Sequence, residues 1–381
     1  MSERLKVLTV VGTRPEIIRL AATIKRLDKY TDHVLVHTGQ NYDYELNEVF
    51  FEDLGLRKPD HFLEADTSSL GAVLGSILLK VEQVLNLEKP DAMVVLGDTN
   101  SCISALMAKR MKVPVFHMEA GNRSFDDNVP EETNRRLVDH VSDYNLVYTE
   151  HARRNLLGEG IHPSRILLTG SPMLEVLNGN KDAIDSSNVL AKQELSKGGY
   201  FLVSLHREEN VDNPERLNSV LRALQDLSAK YELPVLVSTH PRTRARLESQ
   251  AGEVKENLIF HAPFGFNDYV NLQINARLVL SDSGTISEES STLGFPAVSL
   301  RDAIERPEAI DTGVTITTGV ESKAILDGVD IMLRQFDEDG PAAIPADYQI
   351  PDTSRRVVNF IRSTAATHHA RSSIRKIPVP E

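Results

Sequence analysis

The stretch VPVFHMEAGNRSFDDNVPEETNRR, residues 113–136, contains the strand-to-helix pattern from which the fold is predicted. Its apolar run, residues 113–116, predicts a buried strand, and Glu119 follows near the carboxyl end of that strand. Pro130 and the glutamates after it are typical of a first helical turn, because proline fits there and carboxylates favour the positive end of the helix dipole. The sequence therefore places Glu119 after a strand and Glu131 at a helix start, at the sheet edge where ligands of α/β proteins bind.

Arginines accompany the carboxylates of this stretch. Arg123 follows the strand, and Arg135 lies in the predicted helix. The combination is typical of acid–base catalysis beside an anion, because carboxylates transfer protons and arginines bind phosphate or carboxylate groups. A surface loop with solvated ion pairs has the same composition, so these residues alone leave both interpretations open.

The alternation of strand and helix continues along the chain and predicts an α/β protein with two doubly wound, Rossmann-like domains. Strands are predicted at residues 6–11, 34–37, 92–96, 113–116, 146–148, 166–168, 200–205, 234–237, 258–261, 279–280, 296–300 and 314–317. The N-terminal domain is predicted over residues 1–178 and the C-terminal domain over residues 198–352. The polar residues between them are interpreted as a linker. Polar clusters follow the strands of both halves, which predicts a binding cleft between the domains.

The end of the chain, residues 353–381, is predicted as a helix followed by a tail. Residues 354–361 have helical periodicity, whereas the tail from Ser363 has none and is predicted to be frayed.

Composition excludes several classes of protein. The chain has 381 residues, 41% of them hydrophobic, and a net charge of −13, which argues against a general nucleic-acid binder. The single cysteine, Cys102, falls in an apolar helical stretch and fits a core residue in a reducing cytosol. No apolar run approaches the ~20 residues that span a bilayer. These features predict a cytoplasmic protein with no membrane partner.

Two further motifs of the N-terminal half follow predicted strands. Arg14 lies in the turn Gly-Thr-Arg-Pro-Glu, which is neither a dinucleotide fingerprint nor an NTP-binding loop, although an arginine at such a turn often binds phosphate. Asp98 follows the strand at residues 92–96, where it could act as a functional carboxylate or cap the next helix.

In the C-terminal half, His206 and Arg207 begin the cluster His-Arg-Glu-Glu-Asn after a predicted strand. A histidine beside carboxylates can move protons at neutral pH. A metal site is not predicted, because the sequence has neither clustered cysteines nor paired histidines at ligand spacing.

The best candidate for an anion site is the segment Ser-Asp-Ser-Gly-Thr around Ser283 and Gly284. Small hydroxyl residues, a glycine and a helix start supply convergent N–H donors for a phosphate. Glu289, one turn into the helix, could accept the hydroxyl groups of a ribose. Arg306 lies near the same edge, and Phe264 could stack on a base, although aromatic residues are more often part of the core.

Together these motifs resemble the non-hydrolysing UDP-N-acetylglucosamine 2-epimerases. The resemblance extends in order from about residue 7 to residue 319, and it rests on the motifs GTRPE, GDT, EAGxR, PEExNR, HREEN, DSG, EE and ERPE, which begin at residues 12, 97, 119, 130, 206, 282, 288 and 305. It implies a fold of the glycosyltransferase-B type, with UDP held mainly by the C-terminal domain and the last helix crossing back to the N-terminal domain. It also implies a homodimer.

The chemistry that this resemblance implies is inversion at C2 of a UDP-sugar without NAD or another cofactor. Asp98, Glu119 and Glu131 match carboxylates implicated in proton transfer, and His206 matches a catalytic histidine beside the diphosphate. Positions implied to bind the nucleotide are Arg14, His240, Ser283, Gly284, Glu289 and Arg306.

The sequence also departs from the common family pattern. Asn122 stands where leucine is usual, Ser124 where threonine is usual, and the loop before Pro130 is shorter. These variants resemble a subgroup that converts UDP-2-acetamido-2,6-dideoxy-L-talose into UDP-N-acetyl-L-fucosamine. The segment at residues 37–43 differs from the segment that contributes to an allosteric site in some members, so allosteric activation is not expected.

The expected function is conversion of UDP-N-acetylglucosamine to UDP-N-acetylmannosamine for surface polysaccharide precursors, with the L-fucosamine reaction as the alternative. A glycosyltransferase of the same fold is the competing enzyme class, and a nucleotide-sugar sensor without turnover is the competing binding protein. The glycosyltransferase would need an acceptor site, for which the N-terminal half shows no basic or apolar docking stretch.

Overall fold

Every strand that the structure describes belongs to one of two parallel sheets. The computed structural model describes residues 4–40, 44–126, 128–239, 257–303 and 305–374. The chain divides into two compact units, one formed by Met1–Gly179 with Ile350–Glu381 and the other by Asn180–Gln349. Each unit contains one sheet, which confirms the prediction of two Rossmann-like α/β domains.

The sheet of the N-terminal unit has the order β3-β2-β1-β4-β5-β6-β7. Its strands are β1 Lys6–Val11, β2 Asp32–His37, β3 His61–Phe62, β4 Ala92–Leu96, β5 Val115–Met118, β6 Tyr144–Val147 and β7 Ile166–Leu168. The strand order reverses between β1 and β4, and ligands of open α/β sheets bind beside such a reversal. The turns after β1, β4 and β5, which contain the predicted functional motifs, therefore lie at the expected edge.

In the described part of this unit, seven helices precede the second sheet: α1 Arg14–Tyr30, α2 Tyr44–Asp53, α3 Leu70–Glu88, α4 Ser104–Arg110, α5 Pro130–Val141, α6 Glu150–Gly158 and α7 Met173–Gly179. Short 3-10 helices occur at Asn100–Ile103 and Pro163–Arg165. Cys102 is a buried free cysteine within the core under α3, as predicted.

Helix α3 is the one helix among the described residues that is long and apolar enough to cross a membrane. Core helices of globular proteins meet the same criterion. One face of α3, including Ile77 and Val81, is buried in the core of the N-terminal unit. Leu79 lies on the outer face and is 59% exposed.

The sheet of the C-terminal unit has the order β10-β9-β8-β11-β12-β13, which repeats the pattern of the first sheet. Its strands are β8 Phe201–Ser204, β9 Val235–Ser238, β10 Leu258–His261, β11 Leu278–Ser281, β12 Ala297–Ser299 and β13 Thr315–Thr317. Its helices are α8 Lys181–Asp185, α9 Val189–Lys192, α10 Glu208–Val211, α11 Pro214–Tyr231, α12 Phe266–Asn275, α13 Ile286–Leu293, α14 Pro307–Asp311 and α15 Ser322–Asp339, with a 3-10 helix at Ala346–Gln349.

The polar segment that was interpreted as a linker is part of the C-terminal unit instead. It contains α8 and α9, which pack against α12, and Val189 is buried in the core. Asn271 of α12 donates a hydrogen bond of 2.8 Å to the carbonyl of Ile184. Polar composition indicated a linker because these two helices are short and bury few side chains.

The chain returns to the N-terminal unit through α16, Thr353–Thr364, which packs against α1. The backbone N–H of Ser354 donates to Glu175 at 2.8 Å, and Arg26 of α1 donates to the Ser354 hydroxyl at 2.7 Å. The tail continues as a 3-10 helix, Ala365–Thr367, and as α17, His368–Arg371.

The prediction of a frayed tail is therefore wrong up to residue 374. His368 is buried and lies 3.3 Å from both the Asp143 carboxylate and the Tyr144 hydroxyl. This ordering depends on contacts more than 200 residues away in the sequence, which periodicity does not reveal.

Candidate active site

Glu119 follows β5 directly and has a left-handed backbone conformation, with φ of 63°. Only 6% of its side chain is exposed. Arg19 of α1 forms an ion pair with one carboxylate oxygen, and the Asn122 amide donates to the other at 3.4 Å. A non-glycine residue in this conformation is strained and is held by its surroundings, so the structure fixes the Glu119 carboxylate in position.

Asp98 lies after β4, in the turn that begins with Gly97. Arg135 of α5 donates to Asp98 Oδ2 from Nε at 2.7 Å and from Nη2 at 2.6 Å. Asn134 donates to the Asp98 carbonyl at 2.9 Å. The N-cap of the following 3-10 helix is Thr99, so the alternative in which Asp98 caps that helix is not supported. Arg135, which is predicted to bind substrate, ties Asp98 to α5 in this structure.

The two glutamates in the first turn of α5 have different surroundings. Glu132 is buried and accepts from the Ser124 backbone N–H at 3.0 Å and from Arg136 Nε at 3.1 Å. Burial disfavours its charged form, but these hydrogen bonds and the charges of the arginines keep the pKa of Glu132 below its usual value. Glu131 is half-buried and has no side-chain partner within the part of the chain that the structure describes. Glu131 is thus the glutamate of the pair that is free to meet a ligand.

Arg123 lies in a buried network rather than at an accessible surface. Its side chain has 0% exposure; it pairs with Asp139 at 2.8 Å and with both oxygens of Glu159 at 2.8 and 2.7 Å. Asp139 also accepts from the Gly121 backbone N–H at 3.1 Å and lies 2.9 Å from His117 Nδ1. The network fixes the turn that contains Glu119, and it leaves no Arg123 surface for the predicted contact with substrate.

Glu16 was not predicted as a site residue, although it belongs to the first motif. It is 1% exposed and accepts from the Gly12 N–H at 3.0 Å, from the Thr13 hydroxyl at 2.8 Å, and from the Ser101 hydroxyl. Burial raises the pKa of Glu16 to about 7, while these hydrogen bonds oppose the shift. Glu16 thereby connects the turn after β1 to the segment after β4. Arg14 of the same turn is half-buried, and its guanidinium carbon lies 5.7 Å from the centre of the Phe50 ring.

In the C-terminal unit, His206 follows β8 and contacts the fully buried Asp282, which follows β11. His206 Nδ1 lies 2.8 Å from Asp282 Oδ1, and the Arg207 backbone N–H donates to Oδ2 at 3.1 Å. Burial alone would raise the pKa of Asp282, but the charge and hydrogen bond of His206 outweigh it and lower that pKa. The His206 side chain is 50% exposed. Arg207 Nε donates to the Asp282 carbonyl at 3.2 Å.

The predicted anion cradle lies at the start of α13. The Ser283 and Thr285 hydroxyl oxygens are 2.8 Å apart. A Cβ atom at Gly284 would lie 2.9 Å from Glu305 Oε2, so any other residue there would require the Glu305 carboxylate to shift. Glu305 is itself bound by both Nη atoms of Arg301 at 2.6 Å, so its charge beside the cradle is compensated.

Glu289 and Arg306 occupy different environments near the cradle. Glu289 is half-buried and accepts a hydrogen bond from the Gln273 amide. Arg306 is 6% exposed and lies 3.1 Å from the fully buried Glu288 carboxylate. The structure thus adds Glu288 as the partner that holds the Arg306 guanidinium.

Phe264 packs in the core of the C-terminal unit, and its ring stacks on the His261 ring at 4.0 Å between centroids. With 8% exposure it has little surface for the predicted contact with a base. His240 lies outside the described residues. Within those residues, no group of three or more metal-ligating side chains is arranged to hold an ion.

Comparison with known proteins gives a consistent match. The model of the family described as UDP-N-acetylglucosamine 2-epimerase matches residues 25–362. The UDP-N-acetylglucosamine 2-epimerase of Methanocaldococcus jannaschii is 39% identical over 340 residues, which are 87% of this chain and 93% of that protein.

Solved structures agree with this match. The UDP-N-acetylglucosamine 2-epimerase of Rickettsia bellii is 44% identical, with a TM-score of 0.92 over 98% of this chain and 100% of that one. The M. jannaschii enzyme in complex with UDP-GlcNAc and UDP is 36% identical, with a TM-score of 0.88 over 94% of this chain and 100% of that one. The fold, the ordered motifs and these matches together place the chain in the UDP-N-acetylglucosamine 2-epimerase family.

Proposed function

We propose that this protein is an isomerase that interconverts UDP-N-acetylglucosamine and UDP-N-acetylmannosamine. The observation that carries the proposal is the arrangement of Asp98, Glu119 and Glu131 at the ends of β4 and β5 and the start of α5, in a member of this family. Arg19 holds Glu119 and Arg135 holds Asp98, whereas Glu131 has no side-chain partner among the described residues. Such a set suits proton transfer to and from carbon.

The proposed reaction is elimination followed by re-addition. One carboxylate takes the proton from C2, and the electrons of the C2–H bond form the C1=C2 double bond. The C1–O bond breaks at the same time, and its electron pair leaves with UDP. UDP then adds back to C1 while another carboxylate delivers a proton to the opposite face of C2. The reaction is redox-neutral and needs no nicotinamide cofactor or metal ion.

The C-terminal unit is proposed to bind UDP. Ser283 and Gly284 would cradle the diphosphate at the start of α13, where backbone N–H groups favour anions. Glu289 would accept the ribose hydroxyls, and His206, Arg207 and Arg306 would bind charge that develops on UDP as the C1–O bond breaks. Arg14 of the N-terminal unit and His240 are also proposed to contact the nucleotide sugar.

One observation favours the alternative substrate, UDP-2-acetamido-2,6-dideoxy-L-talose. Asn122, which stands where the common family pattern has leucine, donates to Glu119 at 3.4 Å. The variant position therefore touches a proposed catalytic carboxylate, and a change there alters the surroundings of the reacting carbon.

The deciding experiment is proton NMR of the protein in D2O with UDP-N-acetylglucosamine. Loss of the H2 signal and appearance of an anomeric signal of the manno epimer would support the proposal. Exchange with the 6-deoxy-L-talo compound alone would select the alternative. If UDP binds and neither compound exchanges, the epimerase proposal is wrong. Release of UDP only on addition of a sugar acceptor would instead identify a glycosyltransferase.

We further propose that the protein is a cytoplasmic homodimer that supplies precursors of surface polysaccharides. The outer face of α3 supports the choice of contact surface, because Leu79 and Leu87 are 59% and 70% exposed. Apart from the neighbouring residues and backbone of the helix itself, no described atom lies within 4 Å of a Cβ placed at Gly71 or Gly75. Gly71, Gly75 and Leu79 follow one another at intervals of four residues and so share a face, and small residues beside an exposed leucine allow a second copy to approach closely.

A further inference from the structure

Asp282 is the feature of the C-terminal unit whose role the proposed function leaves open. It has 0% exposure, and both carboxylate oxygens accept hydrogen bonds. The backbone N–H groups of His206 and Arg207 and the Asn210 amide donate to it at 3.1 to 3.2 Å. Its contact at 2.8 Å with His206 Nδ1 is an ion pair when that ring is protonated.

The contact follows from the sheet topology. β8 and β11 are neighbouring parallel strands, and their last residues, Ser204 and Ser281, lie opposite each other. Asp282 comes directly after one strand end, and His206 comes two residues after the other. The pair therefore spans the reversal point of the C-terminal sheet, where the two halves of the strand order diverge.

We propose that Asp282 is a positioning residue that holds the proton on Nδ1 of His206 and leaves Nε2 to act on the departing diphosphate. This inference rests on the proposed function. Nδ1 lies 2.8 Å from Asp282 Oδ1, and an ionised carboxylate can only accept, so Nδ1 must carry a proton because two unprotonated atoms would repel each other at that distance. His206 is half exposed, which leaves the other ring nitrogen accessible to a ligand.

The arrangement suits the elimination step. As the C1–O bond breaks, the electron pair moves to the diphosphate oxygen of UDP, and a protonated imidazole donating from Nε2 stabilises that charge. The buried Asp282 carboxylate stabilises the imidazolium and fixes its orientation, as a second carboxylate does for histidines that act in catalysis. When UDP adds back, Nε2 of His206 binds the diphosphate oxygen that attacks C1.

The first test needs no change at Asp282. Protein labelled with 15N-histidine contains 12 histidines, and comparison with a His206→Gln variant assigns the signals of His206. The neutral ring at alkaline pH should carry its proton on Nδ1. A neutral His206 ring that carries its proton on Nε2 instead would overturn the proposal, whether or not the protein turns over a UDP-sugar.

The second test is kinetic. Asp282→Asn presents an amide to the ring, so kcat for C2 exchange should fall by about 10²- to 10³-fold. UDP affinity should stay within a few-fold. Asp330→Asn is the matched control, because Asp330 pairs with Lys230 and Tyr231 on α11 of the same unit, and its kcat should equal that of the wild type.

The double variant separates positioning from a general structural role. Asp282→Asn should add no further loss of kcat to His206→Gln, because residues that act through one another are not additive. A further loss similar to that of the single variant would show that Asp282 does not act through His206. Failure of the proposed function would appear differently, as absence of turnover in the wild type.

Discussion

At the scale of single residues, the proposed catalytic carboxylates differ in how they are held. Glu119 combines a left-handed backbone with an ion pair to Arg19, whereas Asp98 is held by two donors of Arg135. Glu131 has no such restraint among the described residues. These surroundings assign fixed positions to Glu119 and Asp98 and leave Glu131 the freedom to adjust to the bound sugar.

We predict that Glu119→Gln abolishes hydrogen exchange at C2 and leaves UDP binding within a few-fold of wild type. The amide keeps the shape of the side chain but cannot accept the C2 proton. Exchange is measured by NMR in D2O, and UDP affinity by calorimetry. Glu150→Gln, which alters a half-exposed partner of Arg153, is the matched control and should exchange normally. Wild-type exchange in the Glu119 variant would remove this residue from the mechanism.

Glu16 should make stability depend on pH. Because burial raises its folded-state pKa to about 7 from an ordinary value of 4.5, the folded protein holds this proton at pH values where the unfolded chain has lost it. The stability that the protonated Glu16 carboxyl contributes is complete below the pKa of this group in the unfolded chain. It is lost as the pH rises through the pKa of the group in the folded protein.

Glu16→Gln removes this titration. The stability of the variant relative to wild type should therefore increase as pH rises from 4.5 to 7. The increase should be at most about 3 kcal/mol, from 1.36 kcal/mol for each unit of pKa. Urea unfolding at several pH values measures the difference. A difference that stays constant over this range would show that Glu16 keeps an ordinary pKa in the folded protein.

At the scale of elements, each sheet has a buried carboxylate that joins the segments after two neighbouring strands. Glu16 joins the turn after β1 to Ser101 after β4, and Asp282 joins the turn after β11 to His206 after β8. Both bridges lie where the strand order reverses. The two sheets share one strand order, and each holds the turns that contain its proposed functional groups through a buried carboxylate.

The turn after β5 depends on Asp139 of α5. We predict that Asp139→Asn lowers the free energy of unfolding by about 3–5 kcal/mol. The substitution removes one of the two carboxylate partners of the fully buried Arg123 side chain. Urea unfolding followed by circular dichroism measures the loss. Asp185→Asn, which breaks an exposed pair with Lys181, is the control and should leave the midpoint unchanged. An equal effect of the two substitutions would contradict the proposed role of the buried network.

At the scale of the whole molecule, the outer face of α3 is the surface that we propose to be covered by a second copy. Leu79→Asp should convert the dimer to a monomer, because a charge at that position would be buried without a partner. Light scattering coupled to gel filtration measures the mass. Ile331→Asp, a change at a 50% exposed residue of α15, is the control and should remain dimeric. A Leu79 variant that also stays dimeric would place the interface elsewhere.

The sequence alone determined the two-sheet architecture and the turns in which functional residues lie. The alternation of apolar strands with helices is visible in short stretches of sequence. A motif that follows a strand of a parallel sheet must lie at the carboxyl edge of that sheet. The same local signals located Asp98, Glu119, His206 and Ser283 after strands.

Only the tertiary structure decided which charged groups pair with each other. Arg19 and Glu119 are 100 residues apart, and Glu16 and Ser101 are 85 apart, so no local pattern connects them. Strand order brings them together, and burial then forces each charge or polar group to find a partner. For this reason Arg123, which has the composition of an anion-binding residue in the sequence, is a buried partner of Asp139 and Glu159 in the fold.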